Sequence, residues 1–420
     1  MKINGWAEEI RNLGGIKFIK LHTVSGDIQI TLPKKKVSKQ LFDKVDKITR
    51  QSVISVTGTI RKKKDAPGGK EIIPKNIEIV NLAETPLPLE PSEKTPAELD
   101  TRLDWRPLDL RNKNRLAIFK IQSKLVERMQ EIMKKEGFIH VFTPCLIGSV
   151  SEGGAEVFSV PYFNKRVFLR QDPQLHRELV IIGGMEKIYD LGPNWRAELS
   201  HTTRHLCEHR GFAPEMAFIK DETDTIKLEE RVIVNAIKRV KKECKEELKI
   251  LNIKINIPKT PFPKLRFPKI YDILEKLDKK IPFGEDYDKE SEELLWKYVK
   301  KKYKTDFFFV NRFPFKAKPF YVMKVDEEPK WARSVDLIYK GVEMSSGGQR
   351  EHRYEKLIEQ VKEKGMNLKN IEWFTKFFKY GAPPMGGFCL GIERFTQHLL
   401  DLPNVREATL FPRDPERVLP

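Results

Sequence analysis

The chain has 420 residues, 40% of them hydrophobic, enough for two or three domains with substantial cores. Its 78 Lys and Arg against 60 Asp and Glu give a net charge of +18 spread along the chain; this favours nucleic acid or another polyanion as partner, and equally accords with a Lys- and Glu-rich solubilising surface. The first residues lack a signal-peptide core, no apolar run reaches membrane-spanning length, and Cys145, Cys207, Cys244 and Cys389 are too scattered for a zinc knuckle or a disulfide framework, so a cytoplasmic protein outside any membrane is expected.

Residues 1–80 read as five short strands, at Ile3 to Trp6, Ile16 to Leu21, Ile28 to Leu32, Ser52 to Ile60 and Ile72 to Val80, with a helix between Val37 and Thr49 before the fourth. That order predicts an OB-type barrel, whose open face takes single-stranded nucleic acid. Phe18 and Gln29, on adjacent strands, offer a stacking ring and a base-edge amide, and Lys34 to Lys36 and Arg61 to Lys64 offer backbone contacts. Residues 81–105 carry Pro86, Pro88, Pro91 and Pro96 and read as an extended hinge before a second domain over 106–420.

From Asn114 to Glu136, Ile118, Ile121, Leu125, Met129, Ile132 and Met133 share one helical face, which could meet its own core or a second subunit. The loop SVSEGGAEVF sets Gly153 and Gly154 beside Glu152, a pattern for a segment that folds a carboxylate over a pocket. A strand from Arg166 to Arg170 leads into QDPQLHRELVIIGG. Residues 191–218 then form a hairpin whose turn gathers Arg196, Glu198, Arg204 and His205, suited to a polyanion because a guanidinium pairs bidentately with phosphate; the competing reading is a solvated surface loop. Asp224 to Glu247 reads as an amphipathic helix, and residues 224–305 as a helical and irregular insertion without chemistry of its own. Strands return at Phe307 to Val310, Tyr321 to Met323, Val335 to Tyr339 and Val342 to Ser345. In YGAPPMGGFCLGIERFTQHLL a glycine-bearing strand turns into a helix with Arg394 near its start, a place for a terminal phosphate.

Read together, FIHVFTP with Pro144, NWRAELSHTTRHL, VDLIYKGVEMSSGGQREH and GIER resemble the signature motifs of class II aminoacyl-tRNA synthetases, most closely aspartyl-tRNA synthetases of the archaeal and eukaryotic type. RLDWRPLDLR, QDPQ and LFPRDPERVLP look like further segments of that subgroup, so the resemblance covers essentially the whole chain. It implies an α+β protein: a five-stranded OB barrel that reads the anticodon, and a catalytic domain with an antiparallel sheet flanked by helices, in a homodimer with Pro144 at the interface. It implies two steps, activation of L-aspartate by ATP with Mg2+ as cofactor, then transfer to tRNA. An asparagine-specific relative and a non-catalytic RNA-binding paralogue are the alternatives.

By the same resemblance Arg196 and Arg394 are the catalytic cations. ATP falls to Arg196, Glu198, Arg204, His205, Leu206, Glu343, Gly391, Ile392, Glu393 and Arg394, and aspartate to Glu152, Gln174, Arg177, Arg196, Ser346 and Arg350. The metal ligands are Asp336, Glu343 and Ser346, hard oxygens that suit Mg2+. Phe18 and Gln29 contact the anticodon, and Glu8 stands where many relatives carry a tryptophan or histidine that bears on the choice between the tRNAs for aspartate and asparagine. Gln174 and Glu152 are assigned the α-amino end, Arg350 and Arg177 the side-chain carboxylate, which asparagine would leave as two uncompensated buried cations. Three departures stand out: the family usually has lysine at Arg177, histidine at Met385 and glycine at Cys389.

Overall fold

The computed structural model describes residues 1–24, 26–92, 94–149, 157–199 and 202–420. Two compact units divide the chain, Met1–Glu90 and Pro91–Pro420.

In the first unit β1 (Lys2–Asn12), β2 (Ile16–Thr23), β3 (Gly26–Pro33), β4 (Val53–Lys62) and β5 (Lys70–Asn81) close a barrel in the order β1-β2-β3-β5-β4. Strand alternation turns Ile19, Leu21, Ile28, Ile30, Leu32, Ile54, Val56, Ile72 and Ile77 inward as one core. The short helix α1 (Lys39–Lys44) precedes β4 as expected, its N-terminus capped by Ser38 Oγ accepting from Leu41 N at 3.2 Å.

The second unit opens with α2 (Leu99–Asp104), α3 (Arg106–Asp109) and α4 (Lys113–Lys135), then β6 (Ile139–Val141), β7 (Leu146–Ile147), β8 (Ser159–Tyr162), β9 (Lys165–Leu169) and α5 (Gln174–Ile182). The hairpin β10 (Lys187–Trp195) and β11 (Glu208–Ala217) follows, with α6 (Glu222–Glu243) and α7 (Lys245–Ile250) after it. Next come β12 (Lys264–Arg266), α8 (Lys269–Glu275), α9 (Lys289–Tyr303), β13 (Phe307–Asn311), β14 (Ser334–Tyr339) and β15 (Val342–Arg350). The chain closes with α10 (Tyr354–Glu363), α11 (Leu368–Thr375), β16 (Met385–Gly391) and α12 (Ile392–Leu399).

Eight strands form the main sheet in the order β12-β13-β14-β15-β16-β11-β10-β6. Its interior is antiparallel, and both edge pairings, β6 with β10 and β12 with β13, are parallel, so the sheet is mixed rather than purely antiparallel. The apolar face of α4 packs against α6 and the sheet in one core with Phe309, Leu337, Phe388 and Leu390, so that helix serves its own domain.

Three expectations need correction. Residues 224–305 are not an insertion around the core: Val232, Ile233 and Ile237 of α6 are fully buried in the main core, and β12 is an edge strand of the sheet. The helix predicted to run to Glu247 breaks at Cys244, where ψ of 36° leaves the helical range. Tyr321 to Met323 is not a strand; Val322 makes an isolated bridge to Arg350.

Candidate active site

A cavity of about 620 Å³ opens on the β15, β16, β11 and β10 side of the sheet. Pairing of Gly211 with Gly391 sets the open end of the hairpin beside the turn from β16 into α12. Arg196, just past β10, Arg204 and His205, on the return, and Arg394, the third residue of α12, therefore line one wall. Glu198 and Leu206 line it too. Arg394 Nη1 donates to Glu343 O at 3.0 Å, and Thr202 Oγ1 lies 2.6 Å from His205 Nδ1.

The potential at this end is positive. Burial, followed by Arg196 and Arg394, pushes His209 down to about 4. Burial lowers His205 as well, with Arg394, Arg196 and Arg204 acting against Glu198. Burial is the larger cause for both histidines, and the arginines add to it; three guanidiniums on one wall suit an anion. Gly391 and Glu393 both border the cavity, whereas Ile392 packs into the core; the Glu393 carboxylate accepts from Arg210 N at 2.9 Å, and burial pushes it up to about 7. Glu393 thereby ties the hairpin to α12.

Beside Arg394, whose Nη1 also lies 3.8 Å from Glu343 Oε1, Asp336 on β14, buried behind the lining, faces Ser346 on β15. Ser346 Oγ donates to Asp336 Oδ1 at 2.7 Å and Lys318 Nζ to Asp336 Oδ2 at 2.8 Å. Burial and then Asp336 raise Glu343 above the usual carboxyl range. Glu292 of α9, pushed up to about 8 by burial and by Glu343 and Asp336, completes a crowded acidic wall. Glu343 and Glu292 remain partly exposed and only Asp336 is buried, so the wall gathers three carboxylates within reach of a cation from solvent.

At the far end lies a buried lattice of charges. Arg350 Nε donates to Glu215 Oε1 at 2.9 Å, and its Nη2 to Gln174 Oε1 at 3.0 Å and to Glu215 Oε2 and Gly387 O, both at 3.2 Å. Position 387 must be glycine, because a Cβ there would stand 2.1 Å from Pro214 O and 2.6 Å from Glu215 Oε2. Arg177 Nη1 and Nη2 donate to Asp172 at 2.7 and 3.2 Å, and Nη2 also to Gln174 Oε1 at 2.5 Å. Gln174 Nε2 donates to Glu178 and Glu215 at 2.9 and 3.2 Å, so its amide is wholly spent on spacing the charged groups. Asp172, Gln174, Arg350 and Cys389 line the cavity, whereas Arg177 lies behind them, fully buried. Both arginines already have a carboxylate partner in the chain, so an amide substrate would not leave two uncompensated cations. Glu152, with Gly153 and Gly154, lies outside the described residues.

On the barrel, Phe18, Lys20 and His22 alternate outward along β2, opposite Thr31, Gln29 and Asp27 of β3. Gln29 Nε2 donates to Thr31 Oγ1 at 3.1 Å. Glu8 is the extra residue of a β-bulge between Ala7 and Glu9, and Lys20 Nζ reaches its carboxylate at 2.7 Å. The seven cations at Lys34 to Lys36 and Arg61 to Lys64 are all exposed.

Lys318, Lys289, Glu292 and Glu215, which belong to none of the sequence motifs, also lie at or against the cavity. Glu215 had a legible signal, a carboxylate between Pro214 and Met216 on a strand of apolar character; it is completely buried. Lys318 and the α9 pair had none, because only the tertiary fold brings their segments to the site.

Two family models cover most of the chain. Residues 98–415 match the model for class II tRNA synthetases (D, K and N), and residues 1–80 that for the OB-fold nucleic acid binding domain. An aspartate–tRNA(Asp) ligase of Pyrococcus horikoshii is 47% identical over 420 residues, covering 100% of this chain and 96% of its own. An aspartate–tRNA(Asp/Asn) ligase of Methanopyrus kandleri is 41% identical with the same coverage. Among solved structures, an asparaginyl-tRNA synthetase from Pyrococcus horikoshii complexed with asparaginyl-adenylate superposes with a TM-score of 0.92 at 31% identity, covering 100% of this chain and 96% of that one. The chain belongs to the class II aminoacyl-tRNA synthetases. Within that class it is a member of the aspartate–tRNA ligase family.

Proposed function

We propose that this cavity joins L-aspartate to ATP and passes the product to tRNA, making the chain an aspartate–tRNA ligase in mechanism as well as in family. The observation that carries the reading is one continuous cavity with phosphate-type cations at one end, Arg196, Arg204 and Arg394, and the buried Arg350 at the other. Among the described residues Arg350 Nη1 makes no hydrogen bond, and it is the donor we assign to the substrate's side-chain carboxylate.

The first step is an in-line displacement. The α-carboxylate of aspartate attacks the α-phosphorus of ATP, an O–P bond forms, and pyrophosphate leaves. Arg196 neutralises charge at the α-phosphate, and Arg204, His205 and Arg394 hold the outer phosphates. In the second step a ribose hydroxyl at the tRNA 3′ end attacks the activated carbonyl and AMP leaves. No side chain becomes covalently bound, so the rate comes from alignment and charge neutralisation. Asp336, Glu343 and Ser346 would hold Mg2+, since their oxygens are hard donors and the facing strands β14 and β15 bring them together at one end of the cavity. That ion, when bound, adds charge neutralisation at the phosphates.

On the barrel we assign Phe18 and Gln29 to anticodon bases, and Glu8, pinned to Lys20 on the same face, to the choice between tRNA(Asp) and tRNA(Asn). A homodimer through the Pro144 region accords with the exposed Ile139, Phe142, Leu146, Tyr162 and Phe163 clustered in that part of the sequence. The test is exchange of pyrophosphate into ATP with aspartate or asparagine in parallel, followed by charging of purified tRNA(Asp) and tRNA(Asn). Exchange with asparagine alone would sink the assignment of Arg350 to a carboxylate.

A further inference from the structure

At the amino-acid end of the cavity, the group presented to a ligand is not the one the sequence singles out. Arg177 has a side chain only 1% exposed and does not line the cavity; its terminal nitrogens donate to Asp172 and Gln174, and its Nε, which makes no hydrogen bond among the described residues, is buried. Asp172, on the approach to α5, keeps 18% of its side chain exposed and lines the cavity. Burial works against a charge on Asp172, but Arg177, then Arg350 and Arg170, outweigh it and hold the carboxyl below its usual range. A fixed anion therefore stands in the wall of a site for a ligand that carries two carboxylates and one ammonium.

Only one of those three groups can face it without repulsion. Gln174 is unavailable for the ammonium, since its oxygen already accepts from Arg177 and Arg350 and its nitrogen donates to Glu178 and Glu215. Arg350, across the same end, keeps Nη1 for a carboxylate. We propose that Asp172 holds the α-ammonium of bound aspartate, and that Arg177 is a positioning residue that fixes the Asp172 carboxylate through a two-pronged bond without touching the substrate. The proposal rests on reading this cavity as the aspartate site. It also gives the arginine a reason at position 177, because a planar fork can hold both oxygens of Asp172 and still reach Gln174, whereas a lysine ammonium is a point donor.

Succinate, which is aspartate without its ammonium, separates the alternatives. The full-length protein is assayed for the KM of aspartate in pyrophosphate exchange and for the inhibition constant of succinate against aspartate. In Asp172→Asn the KM of aspartate rises about 10-fold or more, the scale of a lost charge-assisted hydrogen bond, while succinate binds as well as before or better. Arg177→Met moves the same ratio in the same direction, and Arg177→Lys recovers part of it. Asp172→Ser serves as a second, smaller replacement should the asparagine variant fold poorly. Equal weakening of aspartate and succinate would mean a purely structural role and overturn the proposal, as would unchanged or tighter aspartate binding in both Asp172 variants. If the wild-type protein shows no aspartate-dependent exchange, the reading of the cavity fails and the proposal with it; exchange with an unmoved ratio overturns the proposal alone.

Discussion

Lys318 Nζ donates to Asp336 Oδ2 at 2.8 Å, placing a cation of the chain itself against the carboxylate assigned to the metal. The lysine side chain is 12% exposed, the aspartate 3%, and the ammonium sits 3.7 Å from the centre of the Phe313 ring. Burial opposes its charge, yet Asp336 and Glu343 outweigh that and raise its pKa. Removing one partner of such a pair strands the other, so Lys318→Ala is expected to lose about 3 kcal/mol of stability. Magnesium should restore part of the loss, because a divalent ion can take over the abandoned carboxylates, and thermal unfolding with and without Mg2+ measures both effects. A variant as stable as the parent, or one indifferent to Mg2+, would show that Lys318 and the ion do not share this charge.

Glu178 gives a pH dependence of definite sign. Burial, with Glu215 adding to it, pushes its carboxyl up to about 8 despite Arg350 and Arg177, and its Oε2 makes no hydrogen bond among the described residues. In the unfolded chain the same group ionises near the ordinary glutamate value of 4.5. Between those two values the folded protein holds a proton that the unfolded chain has released, so this contribution to stability is complete below the lower value and is lost as pH rises toward 8. Glu178→Gln mimics the protonated form and removes the dependence. The variant should match the parent near pH 5 and melt a few degrees higher near pH 8.5, as followed by calorimetry. A parent whose melting temperature is flat relative to the variant across that range would show that Glu178 is not held neutral.

The barrel was readable from the sequence because each strand needs only local alternation, and a closed sheet buries one face of every strand. The grouping of Arg196, Glu198, Arg204, His205 and Arg394 on one cavity wall was readable because the first four fall in one hairpin and Arg394 at one strand-to-helix turn. The amino-acid end was readable only in part. Arg350 and Gln174 stood out, but the division of labour between Arg177 and Asp172 depends on which of two residues five apart points into the cavity, and α5 begins between them. Glu8 illustrates a similar limit: a single bulge in β1 decides its neighbours, and nothing in the run WAEEIR announces where the extra residue falls.

Phe18 tests the separation of the two steps. It lies half-buried on the outward face of β2, away from the barrel core, so truncation should leave that core intact. A base stacked on an aromatic ring is worth about 1–3 kcal/mol. Phe18→Ala should therefore raise the KM for tRNA by roughly 5- to 100-fold in the charging assay and leave aspartate-dependent pyrophosphate exchange unchanged. Equal loss in both assays would place the ring in the fold rather than in RNA recognition.

Arg106 explains why two segments some 300 residues apart both carried the family resemblance. From RLDWRPLDLR its side chain, fully buried, donates to Leu410 O at 3.0 Å and Thr409 O at 2.8 Å in the closing segment, and to Asp109 at 2.5 Å. Arg102 adds a two-pronged bond to Glu407 at 2.9 and 2.7 Å. The closing segment in turn receives Cys207 N through Arg413 O at 2.8 Å, and Cys207 lies just past the cavity residues Arg204 to Leu206. Losing the guanidinium leaves two carbonyls short of donors, while Arg102 Nε still donates to Asp109 Oδ1 at 2.9 Å and keeps that carboxylate paired, so Arg106→Met should cost about 2–3 kcal/mol. Arg106→Lys should recover little, since one ammonium cannot span three acceptors in a plane. Because the strap reaches the hairpin, pyrophosphate exchange by Arg106→Met should fail at a lower temperature than in the parent, in step with the calorimetric transition of the second unit. Loss of exchange at a temperature where that transition has not begun would instead give Arg106 a direct part in the chemistry, which its distance in sequence and its burial argue against.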